Sequence, residues 1–452
     1  MKRVLPLLLV AAFAAASSGF AGLAGSANAA DLLGVYRDAV GYDAQIAAAR
    51  SALDAGREKL PQGRAGLLPT VGFSANSLWN DYDTVTRATP AAEVPRKFNT
   101  SGWSLNLSQP LFRWQNWASY KQSELAVVQA EAQYGLARQD LIVRVAQAYF
   151  EILLAQENLA TAQAQKTAIA EQLASAKRNF EVGTATITDT HEAQARYDLT
   201  TAQEIAADND LLVKQQVLRT IIGKEPQGLK NLRSGLQIGR PQPDDIARWV
   251  ESAEQNGLGV QLSQAVLEIA SREVEKQRAG HYPTLDLVAG RGLSSQTSGT
   301  FGSSVIPGSD TNTTTVGLQL AIPIFAGGAT SSRDREAVAL REKARADLEN
   351  ARRSAALSAR QAYLGVTSGL AQVKALEQAL VSSQSALDSN KLGYEVGVRI
   401  NIDVLNAQQQ LYSTRRDLVK ARLDTLAAQL KLKSAAGLLS EEDVAAVNSL
   451  LE

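Results

Sequence analysis

The sequence repeats itself at a constant distance of 214 residues, so any fold proposed for it must be assembled from two copies of one unit. Leu68-Pro69-Thr70 returns as Tyr282-Pro283-Thr284, and Ala148-Tyr149 as Ala362-Tyr363. Phe180-Glu181-Val182-Gly183 returns as Tyr394-Glu395-Val396-Gly397, and Gly223 as Gly437. Asp189 with Ala193-Gln194 matches Asp403 with Ala407-Gln408, and Asp31 and Ala39 match Asp245 and Ala253. The Pro110/Pro323 pair alone is off, by one residue. The first copy is expected over 30–243 and the second over 244–452, behind a secretory signal at 1–29. Lys2-Arg3, an apolar run from Val4 to Phe13 and the small-x-small site Ala27-Asn28-Ala29 carry that signal.

Each copy joins two kinds of periodicity. Val71, Phe73 and Ala75 alternate with Gly72, Ser74 and Asn76, and Trp103, Leu105 and Leu107 alternate with Ser104, Asn106 and Ser108. In the second copy Leu285, Leu287 and Ala289 form one run, and Val316, Leu318, Leu320 and Ile322 form the next. Strict alternation predicts half-buried strands, placed at 67–79, 102–112, 283–290 and 315–325. Polar loops are expected at about 80–99 and 290–314. The helical period follows. Leu141, Val145, Ala148, Ile152, Ala155, Leu159, Ala162, Ile169, Leu173, Ala176 and Phe180 recur mainly in steps of four and three, a coiled-coil pattern. It predicts a rod of about 65 residues, roughly 95–100 Å long. Helix hairpins are expected over 118–223 and 331–436, with a continuous helix at about 31–64 before the first strand. Lys224 to Pro243 reads as a connector.

Four strands cannot close a barrel, and an open sheet edge is not tolerated in lipid. Strands from several chains must therefore share one barrel. Two chains would give eight strands and a filled interior; three would give twelve and room for a channel. Trp79 and Tyr82 at one end of the strands, and Phe112, Trp114 and Trp117 at the other, read as lipid-interface aromatics. The class is thus an α+β membrane protein whose strands join a barrel shared between chains and whose long helices project beyond it.

Several functions are disfavoured. Net charge is zero, which argues against a nucleic-acid partner held by phosphate contacts. There is no cysteine, so disulfides, thiolate metal sites and lipidated cysteines are out. His191 and His281 stand apart and outside any ligand motif. Gly327-Gly328 reads as a strand-to-helix corner without the phosphate-binding lysine. No enzyme, metal site or cofactor is expected. A coiled-coil stalk or adhesin is the competing reading, and the paired strands and two-fold repeat weigh against it.

Taken in order, Leu68-Pro69, Gln109-Pro110-Leu111-Phe112, Ile322-Pro323-Ile324-Phe325, Val182-Gly183 through Thr188-Asp189, Ala193-Gln194-Ala195-Arg196 and Gly393 through Asn406 resemble the TolC-type outer-membrane efflux and type I secretion family. The resemblance covers the mature chain. It implies a homotrimeric exit duct in the outer membrane of a Gram-negative bacterium, with four strands per chain in a shared 12-stranded outer-membrane β-barrel continued by a periplasmic α-helical coiled-coil barrel. It implies an equatorial belt near 224–249 and the last residues. It also implies as partners a periplasmic adaptor, an inner-membrane ABC or proton-driven transporter, and outer-membrane lipid. By the same resemblance, Thr188, Asp189, Tyr394 and Arg399 match a gate, with Asp189 bonded to Arg399 and Tyr394. Asp403 and Asn406 match a constriction ring, neutral at the second position. Helix capping is the plainer role for Asp189 and Asp403.

Overall fold

The computed structural model describes residues 31–87, 92–226, 228–233, 235–301 and 304–452. The signal at 1–29 lies outside them. In place of one helix before the first strand there are three: α1 (Leu32–Tyr42), α2 (Ala44–Arg57) and α3 (Lys59–Ala65). The break comes at Asp43, which is extended (φ −60°, ψ 121°) and accepts from the N–H groups of Gln45 and Ile46. Pro61 stays inside α3, near its start, where a missing N–H costs no helical bond.

Strands β1 (Thr70–Thr86) and β2 (Ala92–Phe112) follow, and both run well into the stretch expected to be loop. Beyond Trp79 the apolar row turns charged at Asp81, Lys97 and Asp83, so the alternation is lost while the hydrogen-bonded ladder continues to the Thr86–Ala92 pair. Next come the long hairpin of α4 (Trp114–Glu181) and α5 (Ile187–Ile222), then α6 (Ile246–Asn256) and α7 (Leu258–Arg278). The second set of strands is β3 (Thr284–Gln296), the short pair β4 (Gly299–Phe301) and β5 (Ser304–Ile306), and β6 (Ser309–Ala321). β6 ends before Pro323, which has no N–H to give a ladder, so residues 322–325 are not strand. Helices α8 (Ala329–Glu395), α9 (Asn401–Ala435) and α10 (Glu441–Asn448) complete the chain.

The four long strands form one antiparallel sheet in the order β1-β2-β3-β6. Thr70 faces Ser108 and Thr284 faces Ala321, so the two hairpins share a register. The one-residue offset at Pro323 is absorbed between the strands of the second hairpin. Val71, Leu107, Ala289 and Val316 lie in one row across the sheet, and the apolar face they belong to is open: Phe73 is 70% exposed and Val316 75%. Among the described residues no helix is long and apolar enough to cross a membrane.

The helix seam is the expected one. Leu141, Val145, Ala148, Ile152, Ala155, Ala162, Ile169, Leu173 and Ala176 are buried; Phe180, at the tip, is not. With 68 residues, α4 is about 100 Å long. The largest core lies at mid-height. There α1, the middle of α4 and the ends of α5 and α9 meet Leu229, Leu232, Leu236, Ile238 and α10. Asn231 and Glu452 exchange backbone hydrogen bonds of 3.1 and 2.9 Å, tying the connector to the last residue.

Candidate functional site at the hairpin tips

Each long hairpin turns at a glycine with a left-handed backbone, Gly183 (φ 80°) and Gly397 (φ 79°). A side chain is strained in that conformation, which is why Val-Gly recurs at both tips. Thr186 and Asp189 then open α5 as a capping box. Thr186 N–H and Oγ1–H donate to Asp189 Oδ2 at 3.0 and 2.9 Å, and Asp189 N–H donates to Thr186 Oγ1 at 3.3 Å. The Asp189 carboxylate is therefore engaged within its own hairpin.

The expected bonds from Asp189 to Arg399 and Tyr394 are not formed within the protomer. Arg399, just outside α9, instead pairs four residues along its own chain, with Asp403 at 3.7 Å. The Tyr394 hydroxyl accepts from Asn179 Nδ2 at 3.3 Å. The physical reason is local geometry: the N3 carboxylate of a capping box is held by the N–H and hydroxyl of the N-cap Thr186, and a pair four residues apart needs no long-range approach. Thr188 is exposed, and Asp403 and Tyr394 are half-buried. Asn406 is exposed, and its Oδ1 accepts from Arg196 NH2 at 3.1 Å.

Other side chains, which the sequence reading missed, join the two hairpins. Arg196 NH1 donates to Gln409 Oε1 at 2.8 Å. Gln172 donates to Asn401 Oδ1, and Asn401 Nδ2 donates to the Asp189 carbonyl at 3.4 Å. Among the described residues no group of three or more His, Asp or Glu side chains is placed to hold a metal.

At the other end, Trp79 lies on the apolar face and is 82% exposed. Tyr82 does not share that face: three residues on in a strand the parity is reversed. Its ring packs on Phe98 with centroids 5.4 Å apart, opposite Arg96 in the ladder. Phe112 is level with Leu285 and exposed. Trp114 and Trp117 sit in the first turn of α4, not at a strand end. Trp103, which the sequence marks only as a strand residue, stacks on Phe73 with centroids 6.4 Å apart on the apolar face. At the foot of the sheet Arg113 Nε donates to Asp286 Oδ1 at 2.7 Å, bracing the β2–α4 corner against β3.

A sequence profile described as outer membrane efflux protein matches residues 35–224 and again 249–438, displaced by the same 214 residues as the internal repeat. The chain belongs to that family. An outer membrane efflux protein of this TolC type is a channel of the efflux and type I secretion class, placed in the Gram-negative outer membrane. The chain is 32% identical over 452 residues to outer membrane protein TolC of Vibrio cholerae, covering 100% of this chain and 99% of that one. It is 33% identical over 424 residues to the alkaline protease secretion protein AprF of Pseudomonas aeruginosa, covering 92% of this chain and 86% of that one. The solved CmeC outer membrane channel of Campylobacter jejuni superposes with a TM-score of 0.77 at 17% identity, over 93% of this chain and 90% of that one, which shows the fold.

Proposed function

We propose that the chain is one third of a homotrimeric exit duct: twelve strands form a barrel through the outer membrane, and twelve long helical segments carry the duct through the periplasm. The observation that carries this reading is the sheet itself. It exposes an apolar face carrying Val71, Phe73, Leu105, Leu107, Val316 and Leu318, interrupted by Arg291, and ends, among the described residues, in two unpaired edges, β1 and β6. Neither is stable in lipid until other chains close the ring. The opposite face carries Gly72, Ser74, Asn76, Ser104, Asn106, Gly290, Gly292 and Gly317. Side chains this small would leave an eight-stranded interior underfilled, and they suit the wider lumen of twelve strands.

Transport through such a duct needs energy from elsewhere, and we assign the chain no catalytic step. An inner-membrane ABC or proton-driven transporter and a periplasmic adaptor would supply the cargo at the hairpin tips. The protease secretion protein PrtF of Dickeya chrysanthemi and AprF, each 32–33% identical over more than 90% of this chain, favour export of proteins. Small-molecule efflux is the second reading, supported by the family description. Thr188, Asp189, Tyr394 and Arg399 are proposed as gate residues acting between protomers, with Asp403 and Asn406 at the constriction. Trp79, Phe112, Trp114 and Trp117 are proposed as the aromatic belts.

The test is the protein mass of the detergent-extracted particle, from light scattering corrected for bound detergent. Three chains per particle are expected. A monomer surviving gentle extraction would sink the shared barrel.

A further inference from the structure

We propose that Arg196 is the latch that holds the two hairpin tips of a protomer together, a role that rests on the duct reading above. Arg196 lies on α5, half-buried, with its guanidinium aimed across at α9. NH2 donates to Asn406 Oδ1 at 3.1 Å and NH1 to Gln409 Oε1 at 2.8 Å. Positions 406 and 409 are three apart and share one helix face, so a single planar group grips α9 at two points. A guanidinium only donates, which fixes both amide oxygens toward it. Among the described residues it joins no ion pair within 4.0 Å.

The neighbouring charges are committed elsewhere. Asp189 serves its capping box, Asp403 faces Arg399, and Gln194 donates to Asp198 at 3.0 Å, all within one hairpin. The other bonds that cross between the tips, Gln172 to Asn401, Asn179 to Tyr394 and Asn401 to the Asp189 carbonyl, join neutral groups. Arg196 thus supplies the charged hydrogen bonds nearest the tip, the ion pair of Arg415 with Glu157 at 2.9 Å joining α9 to α4 further back, and such bonds are the stronger kind. A hairpin that swings outward to widen the tip must first release them.

The experiment is single-channel recording of the full-length assembly in planar bilayers. Arg196→Ala should raise the open fraction about tenfold, the effect of losing one charged hydrogen bond. Arg178→Ala removes the same charge from an exposed tip position and should leave the open fraction as in the wild type. Asn406→Asp gives Arg196 an ionised partner and should lower the open fraction. Its effect should vanish in an Arg196→Ala background, a readout that general damage to the tip would not produce. A wild-type pore whose open fraction is unmoved by Arg196→Ala would overturn the latch alone. So would an Asn406→Asp effect that persists without Arg196. Absence of any wild-type pore would overturn the duct reading, and the latch with it.

Discussion

Asp43 shows how one side chain can set the two repeats apart. Gly257 is its counterpart and has nearly the same backbone, φ −57° and ψ 125°. Asp43 adds a carboxylate, 5% exposed, that receives Arg144 NH1 and NH2 at 3.0 and 3.2 Å. Burial works against its ionisation, yet Arg144 and the Ile46 and Gln45 N–H groups together hold it below its ordinary 3.8. A carboxyl lowered by folding stabilises the fold above its unfolded value, and the contribution is lost as pH falls through the folded value. Asp43→Asn keeps the helix cap and removes the ionic half of the pair. Arg144 keeps its pair with Asp140 at 2.7 Å, so the loss should be about 2 kcal/mol at neutral pH, read as a lower melting temperature. The gap to the wild type should shrink when the melts are repeated well below pH 3.8. An equal gap at both pH values would show that the pair contributes packing alone. None of this is legible in the sequence, where Asp43 is one polar residue in a helical run and Arg144 lies 101 positions away.

At the scale of elements, alternation is a readable signal only where a strand separates lipid from water. That condition holds from Val71 to Trp79 and from Trp103 to Leu107, and there the expected strands stand where the sequence puts them. It fails above Trp79, where Asp81, Lys97 and Asp83 take over the row of Val71 to Trp79, and so the taller part of the sheet was hidden. The helix seam was legible for a related reason: packing against a partner helix imposes its period on Leu141 through Ala176. The tip contacts were not, because Arg196 reaches Asn406 from 210 positions away with no periodicity joining them. The lipid face makes its own prediction. Leu318→Arg should abolish recovery of the assembled particle from outer membranes, since a lipid-facing arginine costs about 2–4 kcal/mol near the midplane and each chain would add another. Gln319→Lys, on the facing side of the same strand, should assemble. Extraction yields in the reverse order would mean the two faces are swapped.

For the whole molecule, the proposed shared barrel and the internal repeat together predict how neighbouring chains meet. Within the chain, β2 of the first copy pairs with β3 of the second, Asn106 opposite Gly290. Shifting that junction by one copy places Gln319 of β6 opposite Asn76 of β1 in the next protomer. Directly opposed residues have Cβ atoms about 4.5–5.5 Å apart, within reach of a disulfide. Because the chain has no cysteine, Asn76→Cys with Gln319→Cys should yield a covalent three-chain ring on non-reducing gels. The pair Asn76→Cys with Thr315→Cys, about 13 Å out of register, should not. Cross-linking by the second pair and not the first would replace the register while leaving the shared barrel intact.

The matched hairpins carry a constraint on length. Helix α4 has 68 residues and α8 has 67; α5 has 36 and α9 has 35. Both pairs end at tips that touch side by side, so their reach is a quantity held in common. One heptad added to each arm of both hairpins would move the end of the duct by about 10 Å and leave its rim level. The same heptads added to one hairpin would leave a notched rim, with Arg196 facing the wrong turn of α9. The depth of periplasm this protein can cross is therefore written twice in its sequence, and both copies must change together.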